Sequence, residues 1–210
     1  MIEFKSKSEL YLSYYLEELK ENGFIEEWFY EFDTFPLTSK VSLPYIKQLV
    51  TKTKESYESI MQSSSITADF SIRWNKKAKN IFYLDTDEPV KNVTNIPFRL
   101  AFLTNISEIS FIEAKQANTF RANTSDISFP YKQKFLYSSK GIYIQKVVPF
   151  NLKPKPTSLF YNTFVPKRVL EEEVYKQRVK KKGKVIYSPG DSKFKFTPRT
   201  LEQFINNQKS

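Results

Sequence analysis

Ile66-Thr67-Ala68-Asp69-Phe70-Ser71-Ile72-Arg73-Trp74 and, further on, Ile109-Ser110-Phe111-Ile112-Glu113-Ala114-Lys115-Gln116 decide how this chain is read. The first segment alternates. Ile66, Ala68, Phe70, Ile72 and Trp74 share one face, and Thr67, Asp69, Ser71 and Arg73 share the other, the pattern of a strand with one buried face. The second is an apolar strand that runs straight into a charged pair. Residues at i and i+2 of a strand point the same way, so Glu113 and Lys115 are expected on one face. If the two strands are neighbours, Asp69, Glu113 and Lys115 converge. Two carboxylates with the Ala114 carbonyl make a hard oxygen site suited to Mg²⁺ or Mn²⁺.

Composition narrows the chemistry. The chain has 210 residues with no histidine and no cysteine. That excludes Ser-His-Asp and Cys-His nucleophile systems, His/Cys zinc sites and disulfides. A divalent ion held by carboxylates needs none of these. It can polarise a phosphodiester and activate a water, and a neighbouring lysine can orient that water or neutralise developing charge. The Glu-x-Lys spacing alone decides little, because Glu3-Phe4-Lys5 and Glu18-Leu19-Lys20 share it. The setting at a strand end distinguishes Glu113-Ala114-Lys115. An ordinary strand end with a surface ion pair stands as the competing reading.

Working outward, Ser6-Lys7-Ser8-Glu9 forms a capping box before a helix over 7–21, stopped at Asn22-Gly23. Residues 25–35 are aromatic and extended. Ile46, Leu49, Val50, Tyr57, Ile60 and Met61 recur at helical intervals, which predicts a second helix over 44–62. A weak strand is expected at 81–84 and a short extended or helical piece at 98–103, with loops at 85–97 and 117–128. A helix at 129–139 and a strand at 141–149 complete an α/β (α+β) body. A proline-punctuated linker follows, then a helix at 168–182 and a short one within 197–207.

The net charge of +10 is uneven. Residues 130–210 carry 18 Lys and Arg against 5 Asp and Glu, whereas the body is slightly acidic. This points to a polyanionic partner, nucleic acid first and an anionic membrane surface last. Lys180, Lys181, Lys182 and Lys184 are the densest basic run. No apolar run approaches a membrane span and the N-terminal stretch lacks a signal-peptide core, so a soluble, cytoplasmic protein is expected.

The order of parts resembles the PD-(D/E)XK nuclease superfamily. The residues that carry the resemblance are Ser6-Lys7-Ser8-Glu9 at a first helix, the aromatic strand, Ala68-Asp69-Phe70 and Ile112-Glu113-Ala114-Lys115. Phe129-Pro130-Tyr131-Lys132-Gln133-Lys134 before Gly141-Ile142-Tyr143-Ile144 is similar to the family's later helix and last strand. More narrowly, the chain is similar to phage-encoded endonucleases of that superfamily, and to transposon-end-cleaving and junction-resolving nucleases. The resemblance covers about residues 6–149 and implies a restriction-endonuclease-like core, a mixed β-sheet flanked by helices. Ala68 replaces the motif's proline, and insertions are required near 40–62 and 75–108. Residues 150–210 are left as a basic C-terminal extension.

The resemblance implies a Mg²⁺- or Mn²⁺-dependent DNA endonuclease acting in the host cytoplasm of a phage, on duplex or branched DNA. Asp69, Glu113, the Ala114 carbonyl and Glu9 would hold the metal, and Lys115 would position the water. Gln116, Lys132, Lys134 and the basic run 180–184 would contact DNA. A homodimer would suit cutting of both strands. Two alternatives stay open: Glu9 as a helix cap only, and the whole chain as a non-catalytic nucleic-acid-binding or phage structural protein.

Overall fold

A computed structural model describes residues 2–84, 96–100, 108–115, 124–150, 158–174, 194 and 196–209, with side chains at 124–127, 173–174 and 209 excepted. Helix α1 spans Lys7–Glu21 and begins where the sequence places it, with Ser6 Oγ accepting from the Glu9 N–H. Its apolar stripe, Tyr11, Leu12, Tyr15, Leu16 and Leu19, is buried. Gly23, at φ 69°, closes the helix in the left-handed region that glycine enters at no steric cost.

The central sheet has four strands, in the spatial order Ile25–Tyr30, Phe70–Trp74, Ile109–Ala114 and Ile144–Val147. Strand β1 (Ile25–Tyr30) pairs antiparallel with β6 (Phe70–Trp74), and β6 pairs antiparallel with β9 (Ile109–Ala114). Strand β10 (Ile144–Val147) lies parallel to β9, and helix α2 (Thr124–Lys140) makes the crossover a parallel pair requires. The protein is therefore mixed α and β. Its sheet-forming elements run helix, three antiparallel strands, helix, strand.

Side chains on the two faces of this sheet form two clusters. Phe70, Ile72, Trp74, Ile112 and Ala114 pack with α1, whereas Ile66, Ala68, Phe111 and Ile144 pack with Phe129 and Leu136 of α2. The alternating segment 66–74 is thus two strands rather than one. Strand β5 (Ser64–Thr67) ends before Ala68-Asp69, and the buried side changes from α2 to α1 at that break. Opposite it, Glu31 has φ 48°, and the backbone bonds Glu31 N–H to Asp69 O (2.9 Å) and Ala68 N–H to Asp33 O (3.1 Å) bracket the break.

The expected helix at 44–62 is absent. Strands β3 (Val41–Gln48) and β4 (Thr53–Met61) form an antiparallel hairpin there, continuing the pairing of β2 (Thr34–Thr38) with β5. The helical spacing of Ile46, Leu49 and Val50 is real, but a helix stripe is stabilised by burial against a partner. Here Val, Ile, Thr and Tyr pair across a ribbon instead, as their β preference favours. Ile46, Tyr57 and Ile60 are exposed.

Between β6 and β9 the described residues form a 3-10 turn (Lys76–Ala78) and a short parallel pair, β7 (Tyr83–Leu84) with β8 (Phe98–Arg99). Trp74 Nε1 donates to the buried Ser110 Oγ (2.8 Å), which donates to Arg99 O (2.7 Å), fastening β8 to the sheet. Ser110→Ala would leave both partners unsatisfied and should lower stability by about 1–3 kcal/mol, measured by urea unfolding.

The sequence reads 150–210 as an extension, yet its described part fills the α1 side of the core. Leu159 and Phe160 of α3 (Leu159–Asn162), Phe164, Val165, Val169 of α4 (Lys167–Val174), Phe194, and Leu201 and Phe204 of α5 (Leu201–Lys209) are all buried there. Among the described residues, no helix is long and apolar enough to cross a membrane.

Candidate functional site

Asp69 sits where β5 gives way to β6. Phe70 is paired with Ile112 in the antiparallel register, so the next position along brings Asp69 opposite Glu113. The ladder stops there, and Asp69 Oδ2 accepts the Ala114 N–H at 2.7 Å. Glu113 and Lys115 share a face as the strand spacing requires, and Lys115 Nζ lies 2.6 Å from Glu113 Oε1. Both are mostly buried, with side chains 18% and 13% exposed for Lys115 and Glu113. The Lys115 ammonium stands 5.9 Å from the Phe129 ring centroid, so α2 forms one wall. On the other side of β9, the Lys115 N–H donates to Val147 O of the neighbouring β10 (2.8 Å), fixing the strand end that carries both charges.

The electrostatics of Asp69 are unusual. Burial and then the Glu113 charge push its carboxyl up to about 7 from an ordinary 3.8, against the opposing pull of the Ala114 N–H. Glu9 raises it further, and Lys115 opposes. Two carboxylates in a low-dielectric corner repel, and a proton or a cation relieves the repulsion. A carboxyl whose folded pKa is raised stabilises the fold below its unfolded pKa, and that stability is lost as pH rises through about 7. In metal-free buffer, Asp69→Asn should therefore raise the melting temperature at pH 8 and change it little at pH 4. Thermal unfolding of both proteins across that range checks this.

Glu9 is held at both carboxylate oxygens. Its Oε1 accepts from Ser6 Oγ (2.7 Å), and its Oε2 accepts from the Lys5 N–H (3.0 Å) and the Tyr30 hydroxyl (2.5 Å). The side chain is engaged as the cap of α1 and as a tie to β1. It reaches the Asp69 region by charge rather than by contact. Lys5 pairs with Glu31, and its ammonium is held above its ordinary pKa by that bond. Burial raises the Tyr30 hydroxyl above the ordinary tyrosine range, with the Glu9 carboxylate adding to it.

Tyr30, Lys5 and Glu31 are neighbours of the site that the sequence reading does not single out. Tyr30 is one ring in an aromatic strand, and Lys5 precedes the first element, so nothing linear marks them. The β1–β6 pairing brings them in.

Among the described residues no three metal-donor side chains form a group that could hold a metal. A site for Mg²⁺ does not demand three, since this ion keeps several waters and binds through one or two carboxylates with substrate phosphates. Asp69 and Glu113, one of them inclined to keep a proton, fit that donor set. The Lys132 ammonium donates to Ser65 O at 3.1 Å, and Lys134 is exposed. Gln116, Lys180, Lys181, Lys182 and Lys184 lie outside the described residues. Comparison with protein-family models, curated proteins and solved structures finds no match to this chain.

Proposed function

We propose that this chain is a Mg²⁺- or Mn²⁺-dependent DNA endonuclease that hydrolyses phosphodiester bonds. The observation that carries the reading is the meeting of Asp69 with the Glu113-Ala114-Lys115 strand end, on adjacent antiparallel strands. The element order around that meeting, helix, three antiparallel strands, crossover helix and parallel strand, supports it, being the order that the resemblance to PD-(D/E)XK nucleases implies.

Asp69, Glu113 and the Ala114 carbonyl would hold the divalent ion, which when bound polarises the phosphodiester and lowers the pKa of a water. Lys115 is anchored by Glu113 and by the strand. It would hold the attacking water and offset charge developing on the phosphate. The Phe129 wall limits solvent around it. Glu9 and Tyr30 brace α1 against the sheet behind the site. The basic run of the C-terminal segment would hold the polyanion through its phosphates, in a salt-dependent manner.

The test is incubation of the full chain with supercoiled plasmid and with a four-way junction, in Mg²⁺, Mn²⁺ or EDTA. Strand scission that requires the metal supports the proposal, and its absence on both substrates overturns it. A second reading draws on the Glu113–Lys115 pair, which closes on itself at 2.6 Å. It makes the chain a non-catalytic nucleic-acid-binding protein that retains duplex without turnover.

A further inference from the structure

The ribbon that replaces the expected second helix grows out of the candidate site. Its pairing runs from Thr34 opposite Thr67 to Gln48 opposite Thr53, with irregularities near Pro36 and Val41. At about 3.3 Å per residue each strand path is about 45 Å of extended chain. The root is rigid. Phe35 meets Phe111 edge-on at 5.0 Å, Ile66 is buried beside Phe129, and Lys132 holds Ser65 O. The outer half is exposed along both strands, including Leu43, Tyr45, Ile46 and Tyr57.

Its charges are arranged along its length. Directly paired residues share a face, so Leu43 with Glu58, Tyr45 with Ser56, and Lys47 with Lys54 follow one another along one side. The outer end of that side is two lysines opposite each other, with Lys52 in the adjoining turn. Like charges directly opposite destabilise a ribbon, and neither lysine has an ion-pair partner among the described residues. A phosphate backbone removes that repulsion. The same charges, with Glu55 and Glu58, discourage edge-to-edge pairing with another copy of the ribbon. A two-stranded ribbon also has the cross-section that the major groove of a duplex admits.

We propose that the β3–β4 ribbon is a duplex-binding arm. Lys47, Lys52 and Lys54 sit at phosphates while Leu43 and Tyr45 lie nearer the root, so the duplex runs from the arm to Asp69. This deepens the nuclease reading and rests on it for the identity of the polyanion. The arm fixes where along the duplex the Asp69 site falls, because Asp69 follows the last ribbon strand by two residues.

The experiment measures binding of the full chain to a fluorescent duplex of about 30 base pairs by anisotropy, in EDTA, over a series of salt concentrations. It compares wild type, the double variant Lys47→Glu/Lys54→Glu, and a variant with residues 42–59 replaced by Asn-Gly. Both variants should weaken binding by about tenfold or more, and the double variant should reduce the salt slope by about 2. Their melting temperatures should match wild type, since this part of the ribbon contributes nothing to either core cluster.

Unchanged duplex affinity and salt slope in both variants would overturn the proposal. So would a wild-type dimer in sedimentation that both variants abolish while duplex affinity stays the same, since a second copy would then be the occupant. Because binding is read without metal, the two readings separate. Arm-dependent binding without cleavage sinks only the nuclease, and cleavage with arm-independent binding sinks only the arm.

Discussion

Asp69→Asn should abolish metal-dependent strand scission, lowering the rate by about 10³-fold or more, while leaving the protein folded. The side chain keeps its size, and an amide oxygen can still accept the Ala114 N–H that Asp69 accepts at 2.7 Å. What goes is the negative charge shared with Glu113. Metal affinity should fall with it, so Mn²⁺ titration followed by electron paramagnetic resonance should show weak binding in the variant. Added Mg²⁺ should raise the melting temperature of wild type at pH 8 and not that of Asp69→Asn.

Lys115→Ala separates binding from chemistry. It removes the cation that Glu113 holds at 2.6 Å, so the site becomes more negative and should still bind a divalent ion. Turnover should still drop by about 10²–10⁴-fold, because the group that orients the water is gone. Retained Mn²⁺ binding with lost cleavage is the expected pair of results. Full cleavage by either variant would show that the strand end is structural.

Truncation after Pro149 should unfold the protein. The deleted part supplies Leu159, Phe160, Phe164, Val165, Val169, Phe194, Leu201 and Phe204 to the buried cluster around α1. Tyr15 stacks on Phe164 with ring centroids 4.3 Å apart and donates its hydroxyl to Thr163 Oγ1 (3.1 Å). Burial raises that hydroxyl above its ordinary pKa. Phe82 meets Phe204 at 5.6 Å, and Arg168 lies over Tyr14 at 4.2 Å. Without the segment, Phe82 and the part of the α1 stripe that it covers would face water.

A single substitution gives the graded version. Phe160→Ala should cost about 3–5 kcal/mol, seen as a lower urea midpoint at an unchanged slope. The truncated chain should lack near-ultraviolet dichroism and bind a hydrophobic dye. A truncated protein that melts cooperatively near the wild-type temperature would show instead that the chain up to Pro149 is self-sufficient.

The chemistry of the candidate site was legible in the linear order. Glu113 and Lys115 share a face because a strand alternates, and no tertiary information is needed for that. The absence of histidine and cysteine leaves any catalysis to carboxylate, lysine, tyrosine or a metal held by oxygen ligands. The first helix was equally plain, because its cap, stripe and stop are local signals that agree.

The pairing of Asp69 with Glu113 was a conditional, since which strands neighbour one another depends on long-range packing of both sheet faces. Glu9 shows the limit within one residue. Its capping spacing is visible in sequence, but the Tyr30 hydroxyl that occupies its second oxygen arrives through the β1 strand.

Residues 41–61 and 158–209 mark the boundary more sharply. Over 44–62 the periodicity favoured a helix, and the outcome turned on whether any surface existed to bury its stripe. Among the described residues none does, so the segment pairs with itself. In the last quarter of the chain, charge marks a basic extension, while the aromatic residues set between the lysines favour core packing. Burial acts residue by residue, and Phe160, Phe194 and Phe204 found the open side of α1 and completed it. Local patterning and composition sufficed for the first helix, for the strands on which Asp69 and Glu113 lie and for the residue types on offer, but not for the ribbon. The tertiary structure alone decided which apolar faces met, because the hydrophobic effect rewards contact without regard to distance along the chain.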